Sequence, residues 1–145
     1  MVSDQKMTEA ETPKAVTPEE IAERGVYLKH HGHNCCQSSL LALAESNPSI
    51  KLDPETLKSL GAGFAGGMGN MEGACGALCG AEMYAGLVTD GKGTIKFAKE
   101  INEDFAQTCG SVICKELKGK GTGKVLCECD NCVRNAILSA KKVLG

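Results

Sequence analysis

Aromatic side chains are nearly missing from this sequence: there is no Trp, and Tyr and Phe number two and three. Stacking platforms for bases are therefore absent, which argues against nucleic-acid recognition. A charge of one sign is missing too. The formal net charge is −2, with acidic and basic residues interspersed, so no field steers the chain toward nucleic acid or an anionic membrane. No apolar run reaches the roughly eighteen residues of a membrane span, and the opening MVSDQKMTEAETPKAV lacks the apolar core of a signal peptide. A cytoplasmic protein with neither nucleic acid nor membrane as partner is the expectation. Also absent are any internal repeat and any period-two alternation long enough for a sheet.

What the chain does have is sulfur and glycine. Its 145 residues suffice to bury an apolar core without disulfides. In a reducing compartment, nine cysteines then argue for metal or redox chemistry. Nine is odd, so intrachain pairing cannot use them all. Half of the eighteen glycines fall in the stretch GAGFAGGMGNMEGACGALCGAEMYAG at 61–86. Glycine inside a helix costs about 1 kcal/mol relative to alanine, so Gly76 and Gly80 need a compensating gain. Close approach of another backbone, or of a bulky inorganic group, supplies one. Cys75 and Cys79 share a helical face beside the small Gly76/Gly80 and Ala77/Ala81 pairs. Taken alone, this segment fits a packed core helix with two inert thiols equally well.

The rest of the chain reads as helices. Residues 1–16 are too poor in apolar residues to order themselves and form a flexible tail; residues 17–145 form one helical domain. Thr17 as N-cap, Pro18 and Glu20 open a first helix carrying Ile21, Val26 and Leu28 into the His30-His31-Gly32-His33 corner. Asn34 caps a second helix, which stops near Asn47-Pro48. Asp53-Pro54-Glu55 opens a short third helix to Leu60, followed by a glycine loop to Gly69 and a central cysteine helix capped by Asn70. A turn at Asp90-Gly91 precedes a helix with Ile95, Phe97, Ile101 and Phe105 near a helical period. Ser111 caps another short helix, and a last one runs to Leu144 with Val133, Ile137 and Val143. The expected fold is all-α: a compact single-domain bundle of five to seven helices around a Gly-rich central loop and helix.

Four cysteines occupy comparable places in this scheme. Cys35 follows the cap Asn34, Cys75 lies early in the central helix, Cys114 is three residues after Ser111, and Cys129 precedes the final helix. Free N–H groups and the helix dipole at such positions favour thiolate and stabilise a bound anion. Convergence of these starts suits an iron–sulfur cluster or a reactive thiol pair. The group His30, His31 and His33 could bind a metal beside Cys35 and Cys36, but its placement also fits a solvated C-terminal turn. No C-x-x-C-H is present, so covalent c-type haem is unsupported, and Cys129-Asp130-Asn131-Cys132 lacks the βαβ context of a thioredoxin-type motif.

The segments Asn34-Cys35-x-Gln37-Ser38, the glycine run 63–69, Cys75-Gly76-Ala77-x-x-Gly80-Ala81, Gly110-Ser111-x-x-Cys114-x-Glu116-Leu117 and Cys129-x-x-x-Val133 resemble, in order, a known family. It is the family of small redox-active proteins named for a C-GCAxxG-C-C pattern, related to segments of split-Soret cytochromes with which an iron–sulfur site is associated. The resemblance covers roughly residues 29–144 and implies Cys35, Cys75, Cys114 and Cys129 as cofactor and metal ligands. This chain adds Cys36, Cys79, Cys109, Cys127 and Cys132. The local trio Cys127-x-Cys129-x-x-Cys132 approaches the ligand runs of cluster proteins, so it competes with the family four, with Cys36 and Cys79 as further candidates. Three functions stay open: an electron-transfer protein with an iron–sulfur cluster; a thiol–disulfide oxidoreductase in which Cys35 or Cys129 attacks; and a structural or trafficking zinc–thiolate protein. The expected partner is a redox protein, and a homodimer stays open.

Overall fold

The computed structural model of the chain describes residues 16–145, so the expected tail lies, but for Val16, outside the described residues. Seven α-helices follow: α1 Pro18–Lys29, α2 Cys35–Glu45, α3 Pro54–Leu60, α4 Gly76–Thr89, α5 Thr94–Cys109, α6 Cys114–Lys118 and α7 Cys129–Leu144. A single π-type turn, Gly67–Met71, sits in the glycine loop between α3 and α4. No strand occurs among the described residues, although Ala74 and Ile113 form an isolated antiparallel bridge. The all-α expectation holds.

Local chemistry explains the first three starts. Thr17 and Glu20 form a reciprocal capping box at α1, and Asn34 and Gln37 form another at α2. Asp53 accepts from the N–H groups of Glu55 and Thr56 at α3. One continuous core joins Ile21, Leu40, Leu43, Leu78, Ile101, Phe105, Val133 and Ile137. Helix α7 crosses α1, α4 and α5, while α2 lies along α4.

The α2–α4 seam accounts for the glycines of the central helix. A Cβ at Gly80 would stand 2.5 Å from the Cys36 carbonyl oxygen and collide with Ser39 Oγ. One at Gly76 would stand 2.6 Å from Cys35 Sγ and 2.9 Å from the Phe64 carbonyl oxygen. Both glycines therefore permit backbone contact, and Ser39 Oγ donates across the seam to the Ala77 carbonyl at 2.8 Å. Gly25 instead makes room for side chains of α7: a Cβ there would lie 2.5 Å from Ile137 Cδ1 and 2.9 Å from Val133 Cγ1.

Three local expectations need correction. Asn70 does not cap the central helix: its side chain accepts from the Glu72 N–H at 3.0 Å in a local turn, and Cys75 itself is the N-cap residue. Ser111 accepts from the Ile113 N–H and donates to Glu116, while α6 begins only at Cys114. Ile95 is 81% exposed. The inward stripe of α5 repeats every four residues through Phe97, Ile101, Phe105 and Cys109, and Ile95, six before Ile101, falls off that face.

Candidate redox site

Cys35, Cys75, Cys114 and Cys129 line one small cavity of about 10 Å³, together with Gly76, Leu117, Lys118 and Cys132. Each of the four sits at a helix start: Cys35, Cys114 and Cys129 are first residues, and Cys75 is an N-cap. The start of α2 is tied down by Asn34 Nδ2, which donates to the Ala62 carbonyl, and by Gln37 Nε2, which donates to that of Lys58. The starts of α4 and α6 are joined through the backbone. Cys75 N–H donates to the Val112 carbonyl at 2.7 Å, and Cys114 N–H donates to that of Gly73 at 3.0 Å. Gly67, with φ of 63°, allows the glycine loop to close on α6, where a Cβ would lie 2.7 Å from that of Cys114. The start of α7 is held to α1 by Asp130, paired with Lys29 at 3.2 Å and His30 at 2.8 Å.

Electrostatics distinguish the four thiols. Cys75 is held down at about 7, first by a hydrogen bond from Cys132, then by the N–H groups of Leu78 and Ala77 and the charge of Lys118. Cys35 and Cys114 differ from the expected helix-start behaviour. Burial pushes both up, against the Gly66 N–H at Cys35 and the Lys118 charge at Cys114. Desolvation outweighs the dipole there. Into this group reaches the half-buried Lys118, whose ammonium donates to Cys129 Sγ. Lys118 is four residues after Cys114, on the same face of α6, which is the signal that sequence reasoning passed over.

The C-terminal trio does not act as a unit. Cys129 faces the cavity with the other three family cysteines, Cys132 lies on its wall, and Cys127 turns away to Cys109, with 3.5 Å between sulfurs. Cys132 stands between the two groups and keeps its proton, pushed up by hydrogen bonds to Cys109 and Cys75. Cys109 falls to about 6, chiefly through the hydrogen bond from Cys132 and further through Asn135 and Cys127. Cys36 and Cys79 lie apart, on the α2–α4 seam, where burial raises them to about 12 and about 11.

Comparison with known proteins places the chain in a family. Residues 33–143 match the model of a family described as "Putative redox-active protein (C_GCAxxG_C_C)". The chain belongs to this family. A relative from Archaeoglobus fulgidus, described only as an uncharacterized protein, is 39% identical over 71 residues, which cover 49% of this chain and 46% of the relative. The chain thus spans about half the length of the curated relative that it matches. No solved structure matches.

Within this C_GCAxxG_C_C member, His31 and His33 make local contacts, whereas His30 pairs with Asp130. His31 stacks on Tyr27 and its Nδ1 lies 2.7 Å from the Tyr27 carbonyl oxygen; His33 Nδ1 lies 3.2 Å from that of Leu28. No three His, Cys, Asp or Glu side chains among the described residues are gathered closely enough to hold a single metal ion. No helix among them is long and apolar enough to cross a membrane.

Proposed function

We propose that this family member is a small electron-transfer protein that carries an iron–sulfur cluster on Cys35, Cys75, Cys114 and Cys129. The observation that carries the reading is the facing of four thiols, each at a helix start, onto one cavity whose wall already attracts a cation, the Lys118 ammonium. Burying an anionic group is tolerable only among N–H donors and dipole ends, and four helix starts provide both. Cys132 offers a further thiol donor at the wall. When bound, the cluster supplies a one-electron couple. The protein's own residues orient the four thiolates, exclude water with Leu117 and Cys132, and balance charge with Lys118. A single zinc ion needs every sulfur about 2.3 Å from one centre, which fits this spread of thiols less well than a wider polynuclear group.

Serine replacement at each of the nine cysteines, followed by iron and acid-labile sulfide analysis after anaerobic purification, tests the reading. Loss of both at Cys35, Cys75, Cys114 and Cys129, with retention at Cys109 and Cys127, is expected. Loss that instead follows Cys127 and Cys132, or a colourless protein loaded with zinc, would refute it. The depressed Cys75 thiol favours thiol–disulfide oxidoreduction as a second reading; a colourless, metal-free and fully active protein would establish that one.

A further inference from the structure

Away from the four-thiol cavity, Cys127 lines a second, wider opening, and the buried Cys109 lies behind it. Their sulfurs are 3.5 Å apart, against about 2.05 Å in a disulfide. Cys127 lines an open pocket of about 490 Å³ with Thr108, Val125, Leu126, Glu128, Asn131 and Asn135. It belongs to an irregular segment between α6 and α7, whereas its neighbour Cys132 is fixed within α7. Asn135 Nδ2 approaches both sulfurs, at 3.3 Å from Cys109 and 3.9 Å from Cys127. The wall offers two amides, a hydroxyl, two exposed aliphatic side chains and the Glu128 carboxylate, which can accept from the N–H groups or the amino terminus of a peptide.

We propose that Cys109 and Cys127 form a second redox pair, which reduces a small peptide disulfide bound in this pocket. The Cys127 sulfur, its proton passing to the neighbouring Cys109 sulfur, bonds to one sulfur of the substrate, whose S–S bond breaks; one small thiolate leaves and takes up that proton from Cys109. The Cys109 thiolate then bonds to the Cys127 sulfur and breaks the mixed disulfide, and the second small thiolate leaves. Two electrons pass from the protein dithiol to the substrate disulfide. Excess small thiol reverses both steps and restores the pair. No metal and none of the four cavity cysteines takes part, so this inference stands or falls independently of the cluster.

The test mixes the full chain, purified anaerobically, with glutathione disulfide. Samples are quenched in acid, alkylated and mapped by fragmentation mass spectrometry, while released glutathione is counted. The first bridge to form is expected to join Cys109 and Cys127, with two glutathiones released for each. Cys109→Ser should release one and retain the other on Cys127. Cys127→Ser should slow release at least tenfold. A first bridge that includes Cys132 or any cavity cysteine, no bridge at all, or unchanged release from Cys127→Ser would overturn the proposal. The wild-type map decides the matter even if a variant fails to fold.

Discussion

The two sulfur groups meet along α7, where Cys129 faces one and Cys132 borders both, yet they are supported by different chemistry. Around the first, four helix starts present fixed backbone N–H groups, to which the Cys132 thiol at Cys75 and one lysine add. The second includes Cys109, the last residue of α5, where the dipole opposes a thiolate. There the side chains of Cys132, Asn135 and Cys127 compensate. Backbone donors cannot be withdrawn by a rotamer change, so the first group suits a resident anion. Side-chain donors can turn, so the second suits bonds that form and break.

The most forceful way to break this contrast is to part the seam beneath the first group. Gly80→Leu places a branched side chain where a Cβ already meets Ser39 Oγ and the Cys36 carbonyl oxygen. A loss of about 3 kcal/mol or more is expected in urea unfolding. A loss under about 1 kcal/mol would show that α2 and α4 can move apart freely.

The pH dependence of the metal-free protein sharpens the contrast next. Cys75 and Cys109 titrate at about 7 and about 6 when folded, below the ordinary value of 9.0. Groups with depressed values add stability that is present above the unfolded value and lost as pH falls through the folded one. Cys36, Cys79 and Cys127, raised to about 12, about 11 and about 11, have the opposite sign. Their contribution is whole below the unfolded value and lost as pH rises toward the folded ones. The urea midpoint should therefore climb from about pH 6 to about pH 9 and decline above it. Cys109→Ser should remove the lower part of the climb.

Asn135→Leu tests the side-chain support by itself. Without the amide, Cys109 should titrate higher by up to about one unit, worth about 1.4 kcal/mol, while Cys75 moves less. Ultraviolet absorbance of the thiolates across pH, with Cys109→Ser as reference, reads both. Equal movement of the two would mean that Cys132 couples them into one system. The smallest effect belongs to Asp130→Asn, which releases Lys29 and His30 from the start of α7. Asp130 is partly exposed, its partner His30 more so, and its carboxyl is held down first by His30, so a thermal-unfolding loss of less than about 1 kcal/mol is expected.

Sequence pattern carried the fold where the signal was local. Thr17, Asn34 and Asp53 announce their helices because a cap bonds within three residues of itself. Asn70 misled because the same side chain forms turns equally well. The glycines of α4 declared a close approach without naming the partner, since α2 lies about forty positions away. The four family cysteines were legible through repeated placement at helix starts. The Cys109–Cys127 contact was not, because neither periodicity nor capping relates the end of α5 to the loop before α7. Nor does the trio reveal that its three sulfurs diverge: the chain turns into α7 between Cys127 and Cys132.

The bridge that joins Ala74 to Ile113 has a consequence for what substitution can achieve. Its two hydrogen bonds use the amides of Cys75 and Cys114 themselves, with the carbonyls of Val112 and Gly73 as acceptors. Position is thereby written into the peptide and reactivity into the side chain. Exchanging either cysteine for alanine or serine deletes a sulfur while the amide still holds the chain in place. The cavity would lose a donor and keep its form, leaving a place beside the remaining sulfurs for an outside molecule.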